Sequence, residues 1–409
     1  MAIDYFTEIK SKGNKSESTF KIEGEMVSKT KVRVLRIISR MNVGGPAIQI
    51  TGLMNNLPKA EFEQVLLYGY CGPYELDYLD EHSIKVECIR LEGFGRSINL
   101  LSDFKVFLKI RKVIRAFEPD IIHTHTAKAG FLGRLAALTS MKQQIRVHTF
   151  HGHLLRGYFS PAKTRLLVGA ERFLAQFTNS LVSVGSQVRD ELLSRKIGHR
   201  EKYEVIGPGL EIGDIPSRKS ALQTFEIPDG RFNVTWIGRA VPVKSPHRII
   251  EIAKECQNKG LQAQFILVGD GPLLGELREI AKNFKLPMIF LGWQSDIERI
   301  LSLSDLVVLT SENEGTPVSL IQAQMAGIPV LTTDVGSASE VMIHEESGYC
   351  LTYAAQEFAN KIEFLEKDTV LRKSFGAAGK RNAQKNFSLG RLVNDHAELY
   401  RNLVNQSNS

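Results

Sequence analysis

Two cations stand five residues apart in the stretch IGRAVPVKSPHRIIEIA, where Arg239 follows an apolar, β-branched run and Lys244 precedes a helical pattern. Arginine offers a planar fork and lysine a compact point charge, so the pair at a helix N-terminus suits a diphosphate. Solvated surface cations are the plainer alternative, and the position past a strand's carboxyl end favours the phosphate. Farther on, LTSENEGTPVSLIQAQMAGIPVLTT places Glu314 at the end of a strand, with Gly315, Thr316 and Pro317 leading into a helix. A carboxylate beside exposed backbone N–H groups can accept from some sugar hydroxyls while the N–H groups donate to others. A capping glutamate is the plainer alternative, with Glu312 as its solvated double. Eight positions after Glu314 comes Gln322, where a second carboxylate would have kept a charge. In SRMNVGGPAIQI the pair Gly44-Gly45 opens a helix, which lets a phosphate or sugar approach the backbone, although the GxGxxG spacing is absent. Five of the ten histidines, His123, His125, His148, His151 and His153, fall between positions 123 and 153. With no HExxH present, a zinc site is not indicated. His123 and His148 read as core or sheet-edge residues, whereas His151 follows its apolar run and suits a cleft, as a hydrogen-bond donor to a sugar or a modest acid/base.

The elements that must position these groups alternate. Short β-branched runs at 32–39, 64–70, 85–91, 119–125, 145–150 and 180–185 are each followed by helical character. A break rich in Gly, Pro and charge covers 207–232, and a second series follows at 232–238, 263–269, 288–293, 305–310 and 329–333. Strands alternating with helices predict parallel sheets covered on both faces, here two doubly wound α/β domains in tandem. Ligands of such sheets sit beyond the carboxyl ends of the strands, so a site between the domains draws on strand-to-helix loops of both. The expected division is a flexible lead-in over 1–30, a first domain over 31–210, a second over 211–388 and a terminal helix over 389–409.

Composition excludes other classes. The chain has 409 residues, 43% hydrophobic and 24% charged, which rules out collagen-like, coiled-coil and wholly disordered readings. No run approaches the roughly 18–20 apolar residues of a membrane span. The first thirty residues are polar and balanced in charge, unlike a secretory signal. The four cysteines, Cys71, Cys88, Cys256 and Cys350, form no CxxC pair and read as thiols of a reducing cytoplasm. Residues 31–206 hold 26 Lys and Arg against 16 Asp and Glu, a surplus of ten, while 207–409 hold 21 against 24. That asymmetry suggests an anionic partner for the first half. The segment 100–117 carries Val106, Ile110, Val113 and Phe117 at helical spacing with Lys105, Lys109 and Lys112 alongside, which favours a membrane surface. Nucleic acid is disfavoured, since no recognition motif for it is present.

The strings GRAVPVKS, VGDGP, FLGW, SENEGTPVSLIQAQMAGIPV and DVGSASEV, in this order and preceded by NVGGPAIQ, IIHTHTAKAG and VHTFHGH, resemble the signature of retaining glycosyltransferases of family 4. The resemblance runs from Val32 to the C-terminus and is similar to bacterial members that build polysaccharides or lipid-linked saccharides. It implies the GT-B fold, two Rossmann-like domains facing a cleft, with the acceptor on the first and a nucleotide-sugar donor, UDP-linked, on the second. It also implies a last helix, around 390–404, that crosses back to the first domain. By the same resemblance Arg239 and Lys244 hold the donor diphosphate and Gly45 approaches it. Glu314 with the backbone of Gly315, Thr316, Pro317 and Val318 grips the sugar, His151 contacts it, and the base lies near Gly292, Trp293 and Gln294. A protein nucleophile is not implied, because the leaving diphosphate can help deprotonate the acceptor. No cofactor is implied, and with no Asp-x-Asp in the chain the Arg239/Lys244 pair stands in for a divalent ion. The chain departs from the family's Glu-x7-Glu at Gln322, which predicts weaker donor binding rather than loss of activity. The expected activity is hexosyl or N-acetylhexosaminyl transfer at the cytoplasmic face of the membrane. A binding-only or scaffold relative, and a GT-B nucleotide-sugar epimerase, are the alternatives.

Overall fold

The computed structural model describes residues 31–73, 75–140, 142–152 and 161–408; the expected lead-in and His153 lie outside the described residues. Two all-parallel sheets organise the chain. The first holds β1 (Val32–Ile38), β2 (Phe62–Tyr68), β3 (Glu87–Arg90), β4 (Ile121–His125), β5 (Ile145–Phe150), β6 (Ser180–Ser183) and β7 (Tyr203–Val205), in the order 3-2-1-4-5-6-7. The second holds β8 (Phe232–Ile237), β9 (Ala263–Val268), β10 (Met288–Gly292), β11 (Leu306–Leu309), β12 (Val330–Thr333) and β13 (Gly348–Leu351), in the order 10-9-8-11-12-13. In both, the strand order reverses beside the first strand, which opens a crevice at the carboxyl edge. The fold is therefore the two-domain, Rossmann-like α/β arrangement.

Helices cover both faces. In the first domain they are α1 (Gly45–Asn56), α2 (Leu100–Phe117), α3 (Ala127–Leu138), α4 (Pro161–Gln176) and α5 (Ser186–Ser194). The second has α6 (Arg218–Thr224), α7 (His247–Asn258), α8 (Leu274–Asn283), α9 (Ile297–Leu303), α10 (Val318–Met325), α11 (Ala355–Lys367) and α12 (Thr369–Asn386), and α13 (Leu389–Asn408) ends the described chain. The stripe of α2 does as its spacing predicts: Val106, Ile110, Val113 and Phe117 are all buried against β1 to β4. The Asn99 side chain accepts from Ser102 N to start that helix, and Glu118 ends it in a left-handed conformation at φ 49. β7 and β13 escape the sequence reading because both are short edge strands, and β7 buries only Tyr203 of its three residues. Such strands need no apolar run.

The chain passes between the sheets twice, and the passes touch. Leu210 N donates to Phe387 O, Leu389 N donates to Leu210 O, and the Arg391 guanidinium donates to the carbonyls of Gly207 and Pro208. After the second pass α13 lies on the first sheet, where Tyr400 packs edge-on to Phe62 and hydrogen-bonds His123 Nδ1 at 2.6 Å. His396, one turn earlier, stacks on the same His123 ring. The terminal helix thus completes the core of the domain that the chain began with.

That core is unusually rich in imidazole. His123 and His125 from β4 and His396 from α13 are buried around the guanidinium of Arg36 from β1, itself fully buried, while His148 from β5 is buried on the other face of the sheet, hydrogen-bonded to Thr124. Burial, reinforced by the Arg36 charge, pushes His123 and His125 well below the ordinary range and His396 down to about 3; burial and Arg134 do the same for His148.

Two outcomes follow from this packing. Tyr400→Ala opens a cavity and strands His123, and urea titration should read a loss of about 3–5 kcal/mol, against about 1 kcal/mol for Tyr400→Phe. The unfolded chain takes up protons below about pH 6.5 that the folded core refuses, so stability is complete above that value and falls with pH toward about 3. Thermal unfolding should show a midpoint that drops from about pH 7.5 to about pH 5, and a flat curve would contradict neutral buried histidines.

Candidate active site

On the second domain the loop after β8 carries both predicted cations. Arg239 is exposed and has no side-chain partner among the described residues. Lys244 closes a 3-10 turn, Pro242–Lys244, which Ser245 terminates at φ 44 just before α7. Its Nζ donates to Glu314 Oε1 at 2.5 Å, and Ser311 Oγ donates to the same oxygen at 2.6 Å. Glu314 is buried, so this carboxylate is held by two donors rather than left in solvent. Contrary to the sequence expectation, Glu314 does not end a strand: β11 stops at Leu309. The segment that follows is drawn toward the β8 loop by Glu312 N donating to Val243 O and by Arg248 donating to Thr310 O, which carries Glu314 to Lys244. Glu312 itself is exposed and pairs with Arg248 at 3.3 Å.

The first domain meets this loop backbone to backbone. Gly152, at φ 151, lies so close to Gly315 that a Cβ on it would stand 3.2 Å from Gly315 N, and a Cβ on Gly315 would stand 2.5 Å from His151 O. Neither position admits a side chain without a shift. Gly45, at the N-terminus of α1, faces Val318, the first residue of α10, with its Cβ position 3.2 Å from Val318 Cγ2. Thr316 Oγ1 donates to Val184 O at 2.5 Å, so its hydroxyl belongs to the seam between the domains, and Pro317 caps α10 without a side-chain bond. The His151 ring is half-buried and hydrogen-bonds His125 through Nε2 at 2.9 Å. Burial and the Arg36 charge hold it down at about 3, so at neutral pH it is a neutral ring.

Gly45, His151, Lys244, Glu314, Gly315, Thr316, Pro317 and Val318 are thus brought to one seam. Gln322 lies farther along α10, half-buried, with its amide unpaired among the described residues. Gly292, Trp293 and Gln294 stand apart at the end of β10, the sheet edge, two strands from β8. Gly292 turns there at φ 68 and accepts from Gly269 N at 2.7 Å; Trp293 is 39% exposed, and the Gln294 amide folds back onto Leu291 O. Among the described residues no three His, Cys, Asp or Glu side chains are grouped to hold a metal ion.

Sequence reasoning missed three participants. Ser311 shares Glu314, and Glu340 reaches from the second domain to accept from Ser186 N and Gln187 N at 2.8 Å each, capping α5 of the first. Arg36 is the third; an arginine in the middle of a central strand, flanked by Leu35 and Ile37 in VRVLRII, was its signal.

Residues 217–382 match the model of the glycosyl transferases group 1, and residues 44–209 match that of the glycosyl transferase 4-like domain. The UDP-Gal:alpha-D-GlcNAc-diphosphoundecaprenol alpha-1,3-galactosyltransferase of Escherichia coli is 28% identical over 364 residues, 85% of this chain and 91% of its own. EpsD of Bacillus subtilis, a putative glycosyltransferase by its description, is 27% identical over 80% of this chain and 87% of its own. Among solved structures, Anabaena HepE with UDP and glucose superposes with a TM-score of 0.75 at 20% identity, over 90% of this chain and 99% of its own. Two family matches in tandem, one on each Rossmann-like domain, with the seam between them formed by the motif loops of both, leave one assignment: the chain belongs to the group 1 glycosyltransferases and has their GT-B fold.

Proposed function

We propose that this protein transfers a hexosyl or N-acetylhexosaminyl group, with retention at the anomeric carbon, from a UDP-sugar to a saccharide or lipid-linked acceptor in polysaccharide or glycolipid biosynthesis. The observation that carries the reading is the Lys244–Glu314 contact, which sets a cation for phosphate beside a carboxylate for sugar hydroxyls at one point of the seam. Arg239, unpaired and exposed, supplies the second charge for the diphosphate. As the glycosidic bond to phosphate breaks, these two cations meet the charge that develops on the leaving diphosphate, and the leaving oxygen helps deprotonate the acceptor hydroxyl. Two fixed cations do the electrostatic work of a divalent ion, so we assign the reaction no metal requirement. The donor class is supported by the UDP-Gal named for the Escherichia coli relative and the UDP-glucose complex of HepE.

The outward face of α2 supports an anionic membrane surface as a further partner. Leu101 is 80% and Phe104 60% exposed, and Leu108, Lys105, Lys112 and Arg115 share that side, opposite the buried stripe. An apolar tip followed by a run of cations fits an anionic bilayer surface. No described helix is long and apolar enough to cross a membrane.

The transfer reading is tested with a panel of nucleotide sugars, following thermal shift and slow release of nucleotide diphosphate without and then with magnesium, and the anomeric configuration of the product. One donor should stabilise the protein and be consumed, and Lys244→Ala should lower turnover by at least about tenfold; unchanged turnover at saturating donor would remove Lys244 from the mechanism. For the membrane face, vesicles rich in phosphatidylglycerol should pellet the protein at low salt, and Leu101→Glu with Phe104→Glu should abolish this. Equal recovery of both proteins in the pellet would refute the α2 surface.

A further inference from the structure

We propose that Arg36 and His125 are positioning residues that fix the tautomer of His151, so that the cleft histidine meets substrate as a neutral ring carrying its proton on Nδ1. The inference rests on the reading of His151 as the residue that faces the transferred sugar, and it adds how that residue is set.

The argument starts from a group that can only donate. Arg36 is fully buried in the central strand β1, and among the described residues no carboxylate hydrogen-bonds it and its Nε and Nη2 have no hydrogen-bond partner. Its Nη1 lies 3.5 Å from His125 Nε2. A guanidinium never accepts and does not lose its proton, so the His125 nitrogen that faces it is the bare one. A neutral imidazole has one proton, which His125 therefore carries on Nδ1. That atom lies 2.9 Å from His151 Nε2, so His125 donates and His151 accepts. His151 is then left with its own proton on Nδ1, and no other side chain among the described residues contacts that ring through a hydrogen bond. Each step moves one residue nearer the cleft, from β1 to the end of β4 to the loop after β5.

The neighbouring groups reinforce this direction. On α13, Tyr400 and His396 face the same guanidinium, and on β4 so does His123, while His148 on β5 sits against Thr124 and Arg134 instead. None of these is an anion that would draw a proton onto His151. Arg36 also repels a second proton on the ring, and burial works in the same sense. A histidine poised near neutrality would switch between acceptor, donor and cation; this one presents a single N–H at a fixed place, as preorganised stabilisation of a developing oxyanion or a sugar hydroxyl requires.

The test is the 15N spectrum of the histidine side chains in the full-length protein, with His151 assigned by its absence in His151→Gln. The expected wild-type result is the pattern of a neutral ring protonated at Nδ1, unchanged between about pH 5.5 and 8. A ring protonated at Nε2, or one that titrates in that range, overturns the proposal. In His125→Phe the buried ring is kept but the relay is cut; His151 should then show mixed tautomers, and kcat should fall on the order of tenfold with the donor KM unchanged. Retention of the single Nδ1–H form in that variant would equally overturn it. The spectrum needs no donor or acceptor, so it fails or succeeds independently of the transfer assay.

Discussion

Everything at the cleft depends on two backbones that approach without side chains between them. His151 and Gly152 open the connection that leaves β5 in one domain, Gly315 lies late in the loop from β11 to α10 in the other, and the atoms in contact are backbone atoms. Because a parallel sheet sends all its strand ends to one edge, two such sheets can be set edge to edge only if the foremost loops are thin. The glycines make them so. Around that contact Thr316 bonds Val184, Glu340 caps α5 and Gly45 faces Val318, so the seam is fixed at several points by groups with no charge of their own to spare for substrate. The charges that our functional proposal gives to substrate are those left over: Arg239, Lys244 and one shared carboxylate.

Behind the seam the first domain carries an opposite design, a cation where apolar side chains would be expected. A guanidinium buried with no carboxylate bonded to it among the described residues is costly, and the imidazoles around it soften the cost by accepting rather than by neutralising. The terminal helix takes part through Tyr400 and His396, so the last turns of the chain and the first strand share one polar core. Fold completion and the electrostatic setting of the cleft histidine are thereby the same piece of structure.

The sequence made the architecture legible because β-branched runs alternating with helical stripes admit few arrangements. The placement of Arg239 and Lys244 in the loop beyond β8 was legible because it follows such a run. What stayed hidden is what depends on distance in the chain. Nothing near Thr316 signals Val184, nothing near Glu340 signals Ser186, and no periodicity links Arg36 to Tyr400. The displacement of Glu314 from its strand was hidden for the same reason, since hydrogen bonds from the neighbouring β8 and α7 segments pull it away. Loops obey tertiary partners; strands obey their own composition.

The two chain crossings near Leu210 and Ser388 add a mechanical consequence. They are hydrogen-bonded side by side, and Arg391 ties the second to the first, so they bend as one short ribbon instead of two independent tethers. A ribbon resists sliding and shear but yields to rotation about its own width. Admission of a bulky ligand would therefore swing the far lips of the cleft apart by the greatest amount and leave the residues beside the ribbon almost where they were, much as a door moves most at the edge opposite its post.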